Sequence, residues 1–378
     1  MGRSIAVTVG LSRGEGHPVK IREVHQIVAA LSPGDAVGNE ALAFQRLLRA
    51  RGYPSEIYAG AIAPDMAGQG LPVSGYSPGT SSRGAVSIFH FAIGSPVAQR
   101  MLAGSEPLIL RYHNVTPYRF FLGFSGHLVG LCYHGARDLR AFVPRASLGL
   151  AVSEFNRRDL ENAGFGRTEV LPLAMNMAAL DEPKDPIVTS RFRDGRKNLL
   201  FVGRVAPNKK IDDLIRVFCA YQRYVEPESR LFIVGEGRGF EHYTRRLDEL
   251  VSHLRVDEVV FTGAVTQSEL NAYYQLADAY LGLSEHEGYG APLIEAMRFG
   301  IPVIAFDAGA VRETLQGGGV LLTEKRPEVV AELLGMVVSD TATRAAVLNT
   351  QEKALARIGS VNIGAKLDQA LLRVEAAV

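Results

Sequence analysis

Cysteine is scarce in this chain, with two among 378 residues. Cys132 and Cys219 are too few for a disulfide framework, and no C-x-x-C spacing marks a metal site. Cys219 follows the apolar pattern of Leu214, Ile215 and Phe218 and reads as a buried thiol, because a free cysteine behaves as a small hydrophobe. An excess of charge of one sign is lacking too. Lys and Arg number 41 against 40 Asp and Glu, a net charge of +1. A dedicated nucleic-acid binder carries a basic excess, so no nucleic-acid partner is expected, although a local anion site fits this balance. No apolar run approaches the roughly 18 residues of a membrane span. The start, MGRSIAVTVGLSRGEGH, has too short an apolar stretch for a signal peptide. The expectation is a cytoplasmic protein, with peripheral contact at the inner face of a membrane left open.

What is present is apolar and regular. Hydrophobic residues make up 47% of the chain, enough for two cores at this length. Short β-branched runs alternate with amphipathic stretches, the pattern of parallel sheets covered by helices. REVHQIVAAL, SEIYA, AVSIFHFA, LILRYHN and SLGLAVS read as strands of a first half. NLLFVGR, SRLFIVGEG, VVFTGAV, AYLGLS, IPVIAFD and GVLLT read as strands of a second. Helices are expected from Asn39 to about Arg51, over Asp212 to Tyr224 and over Pro292 to Phe299. Residues 178–197 hold prolines and many charges without apolar periodicity and read as a linker. The chain therefore divides into an N-terminal domain, 1–180, with 1–19 as an extension, and a C-terminal domain, 181–360. Residues 361–378 form a terminal helix.

Chemistry concentrates in a few stretches. Ser284 to Met297 runs from the end of a strand into a helix. Pro292 suits the first helical turn. Gly288 and Gly290 let the backbone approach a ligand, and the free N–H groups of the helix start favour an anion or a polar sugar. Glu287 in the loop and Glu295 about one turn into the helix suit sugar diols. A capped helix, with Glu295 merely complementing the dipole, is the competing reading. The second stretch is Gly203-Arg204 at a strand's carboxyl end, followed by Pro207-Asn208-Lys209-Lys210. Arg204 and one of the two lysines can converge on a diphosphate; a structural salt bridge beside a solvated lysine pair is the alternative. Gly34 to Gly38 forms a strand-to-helix loop whose N–H groups can make an anion nest. Gly235-Glu236-Gly237 invites a dinucleotide reading, but Phe240 stands where G-x-G-x-x-G needs glycine. His113 closes the strand LILRYHN, with Asn114 and Thr116 beyond it. It and His90 in IFHFA are equally compatible with structural roles.

These residues together resemble glycosyltransferase family 4, retaining enzymes with the GT-B fold. Glu287 and Glu295 match the family's E-x7-E motif, and Gly203, Arg204 and Lys209 match its G-R-x-x-x-x-K pair. Gly235 to Gly237, Gly34 to Gly38 and His113 match its GEG turn, glycine loop and strand-end histidine, and AVSEFNRRDL and VLPLAMN fit further family patterns. Lys210 replaces the usual glycine, so Lys209 and Lys210 are both candidates for the phosphate. The loop also lacks the common Gly-Gly-x-Glu wording.

The resemblance implies two Rossmann-like domains facing across a cleft, with the last helix crossing back to the N-terminal one. Arg204 and Lys209 would hold the donor diphosphate, and Glu295 the ribose. Glu287, with the backbone of Gly288, Tyr289, Gly290 and Ala291, would bind the transferred sugar. His113 would meet that sugar from the opposite wall. Gly38, Gly203, Gly237 and Val265 complete the donor-binding set. The implied activity is front-face transfer of a mannose- or glucose-type hexose from a GDP- or UDP-linked donor to a saccharide or lipid-linked saccharide. It serves cell-surface polysaccharide synthesis and needs no metal or other cofactor. A non-catalytic sugar-nucleotide binder, or another GT-B enzyme such as an epimerase or phosphorylase, is the alternative.

Overall fold

The computed structural model of the chain describes residues 20–77 and 84–376. The expected extension, 1–19, lies outside the described residues. Seven strands form the first sheet: β1 Glu23–Val28, β2 Ile57–Ala59, β3 Leu71–Pro72, β4 Ala85–Phe91, β5 Leu108–Tyr112, β6 Leu148–Ala151 and β7 Thr168–Val170. Six form the second: β8 Lys197–Val202, β9 Ser229–Val234, β10 Val259–Gly263, β11 Ala279–Gly282, β12 Val303–Phe306 and β13 Val320–Leu322. The orders are β3-β2-β1-β4-β5-β6-β7 and β10-β9-β8-β11-β12-β13. Neighbouring strands pair in parallel throughout. Each sheet reverses its winding once, between β1 and β4 and between β8 and β11. Open α/β sheets bind ligands at the carboxyl ends of strands flanking such a switch point. Every residue of β4 and β5 is buried, as expected for strands covered on both faces.

Two differences from the sequence reading have local causes. The first helix spans Ala36–Ala50 and begins three residues before Asn39, because the Asp35 carboxylate caps it by accepting from the Gly38 N–H at 3.0 Å. The stretch 178–197, read as a linker, is folded. Asp185 accepts from the Val188 N–H at 2.8 Å and starts the helix Pro186–Phe192. Phe192 is buried there, its ring 4.9 Å from that of Phe232. One aromatic anchor in a seven-residue helix leaves no periodicity to read. The C-terminal segment forms two helices, one on each domain. Thr341–Gly359 stays on the second domain, where Gln351 donates to Ile301 O and accepts from Val303 N, each at 2.8 Å.

The last helix, Ile363–Glu375, lies on the first domain. Leu367, Ala370, Leu371 and Val374 join Val24, Phe44 and Val86 in one apolar cluster. Polar ties reinforce the contact: the Ile21 N–H donates to Glu375 at 3.0 Å, and Arg51 pairs with Asp368 at 2.7 Å. Across the domain boundary the ring of Phe121 lies 5.0 Å from that of Phe240, and Phe124 lies 5.2 Å from Tyr243. These apolar contacts hold the carboxyl edges of the two sheets toward each other.

Candidate active site

A cavity of about 220 Å³ lies between the domains, at the carboxyl edges of both sheets. His113, Asn114 and Thr116 line it from the first domain; Arg204, Lys209, Glu287 and Gly288 line it from the second. The four residues expected to carry the chemistry thus share one cleft. Arg204 follows the end of β8, is exposed toward the cleft and anchors itself by donating to Arg238 O at 2.9 Å. Its guanidinium stands over the Phe240 ring, 4.9 Å from the centroid.

The backbone sends the two lysines in different directions. Lys210 adopts φ +53° and turns its side chain to Asp212, 2.9 Å away. Lys209 remains on the cleft wall, and its Nζ lies 2.7 Å from both oxygens of Glu287. The family's cation and loop carboxylate are therefore paired with each other.

The loop carrying Glu287 is pressed against the first domain. A Cβ on Gly288 would lie 2.7 Å from His113 O and from Asn114 Cβ, so only glycine fits there. Ser153 Oγ donates to Gly288 O at 2.9 Å, and His286 Nε2 contacts Asn114 Oδ1 at 2.5 Å. Burial, helped by Lys209 and Arg119, pulls the His286 imidazole down to about pKa 4 against the opposing pull of Glu287. Gly290, at φ +90°, opens the helix Ala291–Arg298. Tyr289 lies between, its carbonyl accepting from Thr314 Oγ1. Glu295 sits behind this helix start and does not line the cavity. One of its oxygens accepts from Tyr274 OH at 2.6 Å, and burial raises its pKa despite that bond.

The remaining expected donor contacts are not among the residues that line the cavity. Gly203 follows β8, Gly237 follows β9 with its Cβ position 2.8 Å from Thr244 Oγ1, and Val265 precedes the helix Gln267–Leu276. Gly38 lies in the first turn of its helix. Its N–H is taken by Asp35, so the loop 34–38 is closed by its own carboxylate and is not the open anion nest of the sequence reading. Burial raises the pKa of Asp35, opposed by the N–H groups of Gly38 and Val37 and by Arg204.

Of the groups behind His113, the sequence reading named His90 but neither Glu40 nor Gln26. Arg111 on β5 and Glu40 on the first helix form a fully buried ion pair, Nη2 to Oε1 at 2.6 Å and Nε to Oε2 at 2.8 Å. His113 Nε2 lies 3.4 Å from Glu40 Oε2 and 2.9 Å from His90 Nδ1, and His90 Nε2 lies 3.0 Å from Gln26 Oε1. Burial lowers the pKa of both histidines well below the ordinary value; His113 and Arg111 add to this at His90, and Arg111 at His113. Glu40, His90 and His113 offer three ligand atoms within 4.8 Å of one another. Both oxygens of Glu40 are nevertheless occupied by Arg111, whose fixed charge opposes a cation, so the cluster is a hydrogen-bond network. A signal was available at β5, where Arg111 is the one charged residue in the strand LILRY.

Comparisons with known proteins agree with this geometry. Residues 186–354 match the family described as glycosyl transferases group 1. The GDP-mannose-dependent alpha-(1-6)-phosphatidylinositol monomannoside mannosyltransferase of Mycolicibacterium smegmatis is 31% identical over 274 residues, 68% of this chain and 66% of that protein. The alpha-monoglucosyldiacylglycerol synthase of Streptococcus pneumoniae is 27% identical over 228 residues, 51% of each chain. The matched stretches thus span about half to two thirds of these curated relatives' lengths. Anabaena HepE, solved in complex with UDP and glucose, superposes with a TM-score of 0.67 at 19% identity, covering 93% of this chain and 99% of that one. The fold is GT-B. Within that fold, the second domain carries the match to the group 1 glycosyl transferases.

Proposed function

We propose that the protein is a retaining glycosyltransferase of family 4 that moves a hexose from a UDP- or GDP-linked donor to a saccharide or lipid-linked saccharide, in cell-surface polysaccharide or glycolipid synthesis. The observation that carries this reading is the convergence of Arg204, Lys209, Glu287 and His113 on one interdomain cavity. Two cations at the carboxyl edge of the second sheet fit a diphosphate and stabilise the charge that develops on the leaving group. Glu287 is placed for the sugar whose anomeric carbon turns positive, and His113 for the same sugar from the opposite wall. Glu295 keeps one oxygen clear of Tyr274 for a ribose hydroxyl. Because side-chain cations face the diphosphate, no metal is assigned to the reaction.

The relatives support the substrate class: one is named for GDP-mannose and a phosphatidylinositol mannoside, another for a glucosyl diacylglycerol. Incubation with labelled UDP-, GDP- and ADP-hexoses, with and without EDTA, tests the reading. Release of nucleoside diphosphate that survives EDTA is expected. No release from any donor, with tight donor binding retained, would instead make the protein a sugar-nucleotide binder.

No helix among the described residues is long and apolar enough to cross a membrane. For the inner-face location we propose peripheral contact through the exposed Tyr118, Leu122 and Tyr133, beside the exposed Arg119, Arg137 and Arg140. Aromatic groups beside cations suit an anionic lipid surface. Cosedimentation with anionic but not neutral vesicles is the expected result.

A further inference from the structure

The network behind His113 determines which of its nitrogens carries the proton. Gln26 Nε2 donates to Ala41 O at 2.9 Å, and a backbone carbonyl only accepts. The amide orientation is thereby fixed, and Gln26 Oε1 is the atom facing His90 Nε2 at 3.0 Å. That nitrogen must be the donor. In a neutral imidazole the other nitrogen is then bare, so His90 Nδ1 accepts. Its partner at 2.9 Å, His113 Nε2, must carry the proton it receives. Glu40 Oε2, 3.4 Å from the same nitrogen, is compatible with that assignment. The chain from Ala41 O through Gln26 and His90 to His113 runs in one direction, and it ends at His113 Nδ1. His113 lines the cleft, and no hydrogen bond within the described residues engages that atom.

We propose that Gln26 and His90 are positioning residues that hold His113 with Nδ1 bare toward the cleft, so that it accepts a hydrogen bond from a neutral hydroxyl of the transferred sugar and rejects a carboxylate there. The inference rests on the donor-site reading above. A hydroxyl has a proton to give to Nδ1. A carboxylate has none. The charged groups facing the pair are Glu40 and Arg111, and these neutralise each other at 2.6 Å. Burial keeps both imidazoles uncharged, so the relay is one of neutral tautomers. Donors carrying neutral hexoses are selected over nucleotide hexuronates.

The wild-type protein labelled with ¹⁵N-histidine supplies a test that needs no turnover. Long-range ¹H–¹⁵N spectra are expected to show His113 protonated at Nε2 and bare at Nδ1 near pH 7, and His90 likewise protonated at Nε2. A His113 protonated at Nδ1, or cationic, overturns the proposal. Gln26→Leu removes the acceptor that orients His90. Its His113 signal is expected to move toward the Nδ1–H form, and an unchanged signal in a folded variant overturns the positioning role.

Binding of UDP-glucose or GDP-mannose against the matching nucleotide hexuronate reads the specificity. The neutral hexose is expected to bind at least about fivefold tighter in the wild type, as leaving a buried hydrogen-bonding group unpaired costs at least that factor. The gap is expected to shrink in Gln26→Leu. Equal binding of both donors by the wild type overturns the selectivity. Failure of every nucleotide sugar to bind overturns the donor-site reading with it, while the spectra still decide the positioning.

Discussion

Replacing Glu40 by leucine should cost far more stability than a surface change, because it strands a charge. Arg111 and Glu40 are both fully buried, so the guanidinium has no water to fall back on. The substitution removes the partners of Arg111 Nε and the main partner of Nη2, and it takes the acceptor from the Ala174 N–H, which Glu40 Oε1 meets at 2.9 Å. Nη1 keeps Leu171 O at 2.6 Å and Ala151 O at 3.1 Å, so the residual charge stays partly solvated by carbonyls. Breaking one side of a buried pair costs about 3–5 kcal/mol. The surviving carbonyl bonds pull that toward the lower end, and the orphaned amide adds about 1 kcal/mol. A total near 4 kcal/mol, at a urea slope of roughly 2 kcal/mol/M, lowers the midpoint by about 2 M. The chain has no tryptophan, so circular dichroism follows the unfolding. Adding Arg111→Met to Glu40→Leu removes the stranded charge and should recover most of the loss, since apolar replacement of a buried pair is often close to neutral. A single variant that loses less than about 1 kcal/mol, or two losses that simply add, would refute the argument.

Three further outcomes are expected. Arg204→Ala should reduce turnover by about 100-fold or more while the urea midpoint barely moves, because the side chain is exposed and acts on developing charge; activity within a few-fold of wild type would remove it from the site. Lys209→Met should depress donor turnover strongly and Lys210→Met hardly at all, and steady-state kinetics showing the reverse order would contradict the assignment made from φ at Lys210. His286 is held neutral with a folded pKa of about 4, below the unfolded value of about 6.5, so the unfolded chain binds more protons and stability falls as pH drops through that window. Urea midpoints at about pH 7 and 5 should therefore converge in His286→Gln relative to wild type; an unaltered slope would show that the imidazole is not held neutral.

The fold was legible where burial writes itself into sequence. Strands covered on both faces read as apolar runs, and NLLFV and RLFIV became β8 and β9 without ambiguity. Edge strands β3 and β7, with two and three residues and none fully buried, carry no such run. The helix Gly126–Ala141 contains three glycines, which propensity alone counts against a helix. At Gly135 the reason is contact: a Cβ there would stand 2.7 Å from the backbone nitrogen of Gly94. In the site, motif spacing located Glu287, Arg204 and His113. It matched Lys209 to the family's basic position but left Lys210 as a second candidate. Nor did it reveal that Gln26, Glu40 and His90, far apart in the chain, meet behind His113; that juxtaposition exists only once β1, β4 and β5 lie side by side.

On the proposed donor-site reading, the pairing of Lys209 with Glu287 says what a donor must do on arrival. Each group currently satisfies the other, with side chains about one fifth exposed or less. A diphosphate would offer Lys209 a stronger anion than one carboxylate, and it would add Arg204, which among the described residues makes no ion pair with a carboxylate. Lys209 can then leave Glu287 without leaving a bare charge. Glu287 in turn loses its cation, and the polar partners left to it come from the sugar: hydroxyls in the ground state, and the positive anomeric carbon as the bond to phosphate lengthens. An interaction that strengthens along that coordinate accelerates the chemical step rather than merely tightening binding. The resting ion pair therefore keeps the carboxylate satisfied until the substrate supplies both the anion that releases the lysine and the developing charge that needs the glutamate.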